Sequence, residues 1–290
     1  MKNINPDKKQ KKLIRSRLSL ILLLVMLLSA ALLAYLLISS WFENWQHKQM
    51  MASLTAAGTV ESSTNPVPSN KFDTSTAQTT QNDAAAETEA ASIPTPRPTR
   101  ITNYNSTHAD FDKLLELNQE TVAWIEIPRT VIDYPVVLAD DNKYYLERDF
   151  LGRKAKSGTI FMDYRNTGDF SERHTILYGH HMRDGSMFTG LMAYKDQDFF
   201  TKNSLIFIST PEGQTVWQIF SVYVTTTDFY YIVTDFAGNQ AYVEFLDKIT
   251  DKSQFEGAIS PSAESRLLTL STCTYEYDDA RFVVHAIRVQ

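Results

Sequence analysis

Cysteine is almost missing from this chain: Cys273 is the only one in 290 residues. No internal disulfide can form, so the thiol is packing, an intermolecular link or chemistry. A Gly-rich phosphate loop and an internal repeat are absent too, which leaves no sequence support for a nucleotide-phosphate cradle or a repeat architecture. The acidic stretch "LADDN" lacks EF-hand spacing and reads as a turn with a helix N-cap. Charge is missing from residues 18 to 38, and aromatic residues from 51 to 100 except for Phe72.

Each of the last two absences marks a boundary. Residues 1–17 carry seven Lys or Arg and one Asp, a basic cytoplasmic tail ahead of "LSLILLLVMLLSAALLAYLLI". A run of about 20 apolar residues matches the hydrocarbon core of a bilayer, and it continues past Ser29, Ala30 and Ala31, which mimic a cleavage site. The reading is a retained transmembrane anchor over 18–42, with Trp41, Phe42 and Trp45 at the outer headgroup level. Positive-inside asymmetry keeps the N-terminus in the cytoplasm and sends the rest outside. Residues 43–107 are rich in Ala, Ser, Thr, Asn, Gln and Pro and end in a proline-rich stretch, a flexible stalk with too little apolar surface to fold. Without the basic tail the chain is distinctly acidic, which argues against nucleic acid as a partner.

From 108 to 290 the pattern is that of one folded domain. "FDKLLELN" reads as a short helix, and eight β-rich runs follow: "VAWIEI", "VIDYPVVL", "SGTIFMD", "HTILYG", "SLIFIST", "TVWQIFSVYVTT", "RLLTLST" and "RFVVHAIRV". Helical interruptions are expected at "NKYYLERDF", "GLMAYKDQDFF" and "GNQAYVEFLDKITD". Eight strands with few helices imply a mainly β fold, a closed barrel or a sandwich.

Strand alternation puts Leu268 and Leu270 on one face of "RLLTLSTC" and Thr269, Ser271 and Cys273 on the other. Cys273 thus falls on the polar face where the strand ends. A thiol nucleophile there needs help, since only about 3% of an unperturbed cysteine is ionised at pH 7 and about a quarter of histidine is protonated. A histidine and a fixed cation nearby raise the reactive fraction. Among six histidines, His47 and His108 lie too close to the membrane or stalk, and His174 reads as a surface residue. His180 and His181 follow a strand that ends in Gly179; His285, on the last strand on the same side as Arg281, is the rival. Arg281 is the cation, although an exposed strand-end arginine is an equal reading.

Taken together, "TLSTC", the strand-opening Arg281 and "YGHHM" resemble a sortase, the cysteine transpeptidases that attach proteins to Gram-positive cell walls. The resemblance covers roughly 110 to 290. "VAWIEIPRTVIDYPVVLADDNKYYL", "LYGHHMRDGSMFTGL" and the helix in "YVEFLDKITDKSQF" look like class B. It implies a closed eight-stranded barrel with Cys273 as nucleophile, His180 as catalytic histidine and Arg281 as catalytic arginine. It also implies that Tyr178, Ser271 and Thr272 line the substrate groove, with no cofactor and no metal. The "TYEYDDA" loop between Cys273 and Arg281 is short for the family. The implied partners are secreted proteins bearing a sorting signal, cleaved after Thr, and an amine acceptor on a peptidoglycan precursor, pilin or other surface protein. Two other readings stay open: a secreted cysteine peptidase using water, and a non-enzymatic surface barrel.

Overall fold

Valine, isoleucine, threonine and aromatic residues dominate the chain beyond residue 120, and in the computed structural model each of the eight β-rich runs is a strand. The structure describes residues 109–290 apart from 275, 277 and 278, together with most of an N-terminal apolar helix and a few positions as far as 53. The basic tail, Trp41, His47, His108 and most of the 43–107 segment lie outside the described residues. The apolar helix spans Leu22–Ser39, with a mean hydropathy of 2.6 over 18 residues and none of it buried. At 1.5 Å per residue this is about 27 Å, long and apolar enough for a membrane anchor or a signal sequence.

The strands are β1 (Thr121–Glu126), β2 (Asp133–Val137), β3 (Ile160–Met162), β4 (His174–Tyr178), β5 (Leu205–Thr210), β6 (Gly213–Thr225), β7 (Leu267–Cys273) and β8 (Arg281–Arg288). They close into a barrel in the order β1-β2-β3-β4-β7-β8-β6-β5. Two neighbouring pairs, β2–β3 and β4–β7, are parallel, and the others run antiparallel. Closure removes free sheet edges, and of the two alternatives open at the sequence level it selects the barrel.

Three short α-helices decorate the barrel: α1 (Phe111–Leu117), α2 (Gln197–Lys202) and α3 (Asn239–Asp251). Asp110 and Asp196 cap the first two by accepting backbone N–H bonds from Lys113 and Phe199. The expected helix at "NKYYLERDF" is only a 3₁₀ turn, Tyr144–Leu146, while "GLMAYKDQDFF" divides into a 3₁₀ stretch, Phe188–Lys195, followed by α2. Asp141 of "LADDN" accepts from the backbone N–H groups of Lys143 and Tyr144, which heads the first of these turns as a cap would.

Both faces of the barrel strands are covered. Inside lie Ile160, Met162, Leu177, Trp217, Leu268, Leu270, Phe282 and Val284, all fully buried. On the outside, Tyr242, Phe245, Leu246 and Ile249 of α3 pack with Phe220, Tyr223, Leu267 and Val283. A bulge between Ile219 and Ser221 lets β6 keep Ile219 and Val222 inside while Phe220 and Tyr223 face α3.

Candidate active site

β7 is buried from Leu267 to Thr272 and surfaces only at Cys273. Across the β7–β8 ladder Cys273 pairs with Arg281, whose Nη1 donates to the Ala280 carbonyl at 3.1 Å. On the other flank of β7, Tyr178 of β4 pairs with Ser271, and the Gly179 N–H donates to the Ser271 carbonyl at 3.3 Å. The ladder ends there, and His180 and His181 follow it in the loop after β4. Gly179 is forced by packing: a Cβ there would stand 2.4 Å from Ile160 Cδ1 and 2.8 Å from the Phe188 ring. The strand therefore ends with a glycine pressed inward and a histidine turned outward.

The two adjacent histidines are held differently. His180 Nε2 lies 2.7 Å from the Leu146 carbonyl. A carbonyl only accepts, so Nε2 carries the proton and Nδ1 is the basic nitrogen. Gly158, at φ +59°, makes room for this contact, because a Cβ would lie 2.7 Å from the Leu146 oxygen and 3.2 Å from the His180 ring. His181 instead reaches the backbone of Cys273; burial pushes its pKa down, partly offset by that backbone bond, and the nearby Lys195 charge lowers it further.

Ser271 is buried, and its hydroxyl pairs with the Tyr231 OH at 2.8 Å. Thr272 points the other way: it pairs across the ladder with Phe282 of the interior cluster and is only 2% exposed. The structure therefore does not bring Thr272 to the groove it was expected to line, because strand alternation turns it into the barrel. Tyr178 donates to Asp163 Oδ2 at 2.8 Å. Burial would raise the Asp163 pKa, but the bonds from Arg165 and Tyr178 outweigh it and hold the carboxyl below its ordinary value. Burial raises the pKa of Tyr231, offset in part by its hydrogen bond with Ser271 and by the Arg281 charge. Tyr231, Asp163 and Arg165 carried no motif in the sequence; only the fold brings them here.

Two histidines prove structural. His174 is not at the surface but fully buried, because its polar atoms have protein partners: Nδ1 donates to the Val233 carbonyl and Nε2 accepts from the Thr269 hydroxyl at 2.6 Å. The chain continues from His285 Nδ1 to Thr269 Oγ1, and from the Tyr223 OH to His285 Nε2, both at 2.7 Å. Since the Val233 carbonyl can only accept, every proton in this chain has a defined place and both rings are neutral. Burial pushes the His174 pKa down to about 4 and that of His285 well below its ordinary value. The unfolded chain protonates both near pH 6.5 while the folded protein resists, so stability present above about 6.5 is lost as pH falls towards 4, at roughly 1.4 kcal/mol per unit for each ring. Urea denaturation at pH 7.5 and 5.5 should differ by about 2–3 kcal/mol. Equal stabilities would mean that the rings take protons without unfolding.

The comparisons with known proteins agree with this geometry. The model of the sortase domain matches residues 125–289. Sortase B of Listeria monocytogenes is 42% identical over 188 residues, which cover 63% of this chain and 76% of that protein. A Staphylococcus aureus sortase B–substrate complex superposes with a TM-score of 0.59 at 38% identity, covering 62% of this chain and 84% of that one. Clostridium perfringens sortase B gives a TM-score of 0.60 at 32% identity over 62% of this chain and all of that one. A lone exposed thiol ending a buried strand, paired with an arginine and flanked by a glycine–histidine strand end, now has a family: this chain belongs to the sortases, in class B, and is a cysteine transpeptidase.

Proposed function

We propose that Cys273 is the acyl-carrying nucleophile, His180 the proton-transfer group and Arg281 the oxyanion holder. The observation that carries this reading is register: Cys273 and Arg281 face each other across β7–β8, and His180 follows the end of β4, the strand paired with β7 on its other flank. The Cys273 thiolate attacks the carbonyl carbon of the Thr in a sorting signal, and the carbonyl electrons move onto oxygen. Arg281 and neighbouring backbone N–H groups hold that oxyanion. As the C–N bond breaks, the imidazolium of His180 gives its proton to the departing amine. With Nε2–H held by Leu146, Nδ1 is the nitrogen that takes up and returns this proton. A second amine then attacks the thioester carbonyl, loses a proton to His180 and leaves as an amide while Cys273 regains its thiolate.

Tyr178 and Ser271 flank the groove in this reading, Ser271 through Tyr231. The likeness to a Staphylococcus aureus sortase B–substrate complex supports a domain that binds a substrate. The substrates are secreted proteins bearing a sorting signal, and the acceptor is an amine of a peptidoglycan precursor or of a pilin or surface protein. The anchor over 18–42 has its N-terminus in the cytoplasm, and the stalk over 43–107 holds the 108–290 domain outside.

A labelled sorting pentapeptide, incubated with and without oligoglycine or diaminopimelate, tests the acyl transfer. The expected result is a thioester on Cys273 by mass spectrometry and a new amide product that grows with amine concentration. Purely hydrolytic product at high concentrations of several amines would favour the peptidase reading and overturn this one.

A further inference from the structure

Between β6 and α3 the chain crosses the outer face of β4 and β7 without forming helix or strand, over residues 226–238. Four consecutive residues at its centre are tied down by side chains. Arg165 Nη1 donates to the Tyr230 OH at 3.2 Å, and Arg165 Nη2 to the Ile232 carbonyl at 3.0 Å. Tyr231 pairs with Ser271, and His174 donates to the Val233 carbonyl. Tyr231, only 6% exposed, is thereby pressed over the β7 residue two before Cys273.

Two of these four ties come from one guanidinium, and that group is itself locked. Its Nε and Nη2 donate to the two oxygens of Asp163, each at 2.7 Å, as a bidentate pair. Asp163 has no exposure to solvent and also accepts from Tyr178 and from Asn142 Nδ2. The fork that grips segment 230–232 is thus held through Nε and Nη2 by a buried carboxylate, itself bonded to the tyrosine two residues before His180. A lysine could keep the charge opposite Asp163 but could not supply the planar fork that reaches both Asp163 and the segment.

We propose that Arg165 is a positioning residue of the transpeptidase: anchored on Asp163, it fixes residues 230–233 as a rigid wall over Ser271, two residues before Cys273, and so sets the affinity for the acyl-donor peptide. The inference rests on the reading of Cys273 as the nucleophile. It concerns binding and not bond-making, because Arg165 touches the wall and not the thiol. Its loss therefore raises KM and leaves the chemical step intact.

The test compares wild type, Arg165→Met and Arg165→Lys with a fluorogenic sorting pentapeptide that acylates the wild type. Arg165→Met is expected to raise KM about 10-fold with kcat within about 2-fold of wild type, and Arg165→Lys to fall between the two. The rate of Cys273 alkylation by iodoacetamide against pH should be the same in all three, which separates wall position from nucleophile activation. Should Arg165→Met fold poorly beside the buried Asp163, the lysine variant carries the test, with a KM rise of about 3-fold expected. Unchanged KM in a folded variant, or a fall in kcat at constant KM, overturns the proposal. A wild type that forms no thioester on Cys273 with any sorting peptide overturns the nucleophile reading itself, and the proposal falls with it.

Discussion

Cys273→Ala is expected to reduce acyl transfer by at least about 10⁴-fold while leaving the barrel as stable as before, within about 0.5 kcal/mol. Both halves follow from position. Cys273 is the one exposed residue of β7, so removing its sulfur opens no cavity. The same exposure makes it the only thiol available to carry an acyl group, since no other cysteine exists to replace it. Cys273→Ser should be equally inactive, because a serine hydroxyl ionises far less readily than a thiol. Intact-mass measurement after incubation with peptide reads the adduct directly, and thermal melting reads the fold. A Cys273→Ala protein that still anchors client proteins in cells would return the chain to the non-enzymatic reading.

The second large effect belongs to the histidines. His180→Ala should lower kcat by about 10³-fold, within the range found for loss of a general acid–base group. His181→Ala should keep most turnover, because its ring is held at the backbone of Cys273. His285→Ala should keep turnover too, yet lose about 2–4 kcal/mol of stability, because it leaves the buried Tyr223 hydroxyl without its histidine partner beside a new cavity, while Thr269 keeps its bond to His174. Turnover of the three variants, read beside thermal melting, separates them: only His180→Ala should lose turnover at unchanged stability. If His181→Ala is the inactive variant and His180→Ala the active one, proton transfer moves to the ring on the Cys273 backbone.

The barrel was readable because each strand declares itself by composition, and alternation in "RLLTLSTC" correctly separates Leu268 and Leu270 from Thr269, Ser271 and Cys273. Alternation says which residues share a face, but not what covers that face. Thr269 and Ser271 look solvent-facing in sequence and are sealed beneath α3 and residues 230–233. His174 looks like a surface residue for the same reason, since its partners Val233 and Thr269 lie 59 and 95 positions away. Asp163 and Arg165 sit two residues apart in "FMDYRN", a spacing that matches no motif. Their role beside the site exists only once the segment after β6 folds over β4.

The parallel β4–β7 pair has a consequence for the order in which the molecule assembles. His174 meets Leu267 only after β5, β6 and α3 have all been made, and β7 is closed on its other side by β8, which ends two residues before the C-terminus. Such distant pairings form late and slowly. An N-terminal fragment that stops before β8 lacks Arg281 opposite Cys273, so the pair exists only once this strand has closed the cylinder.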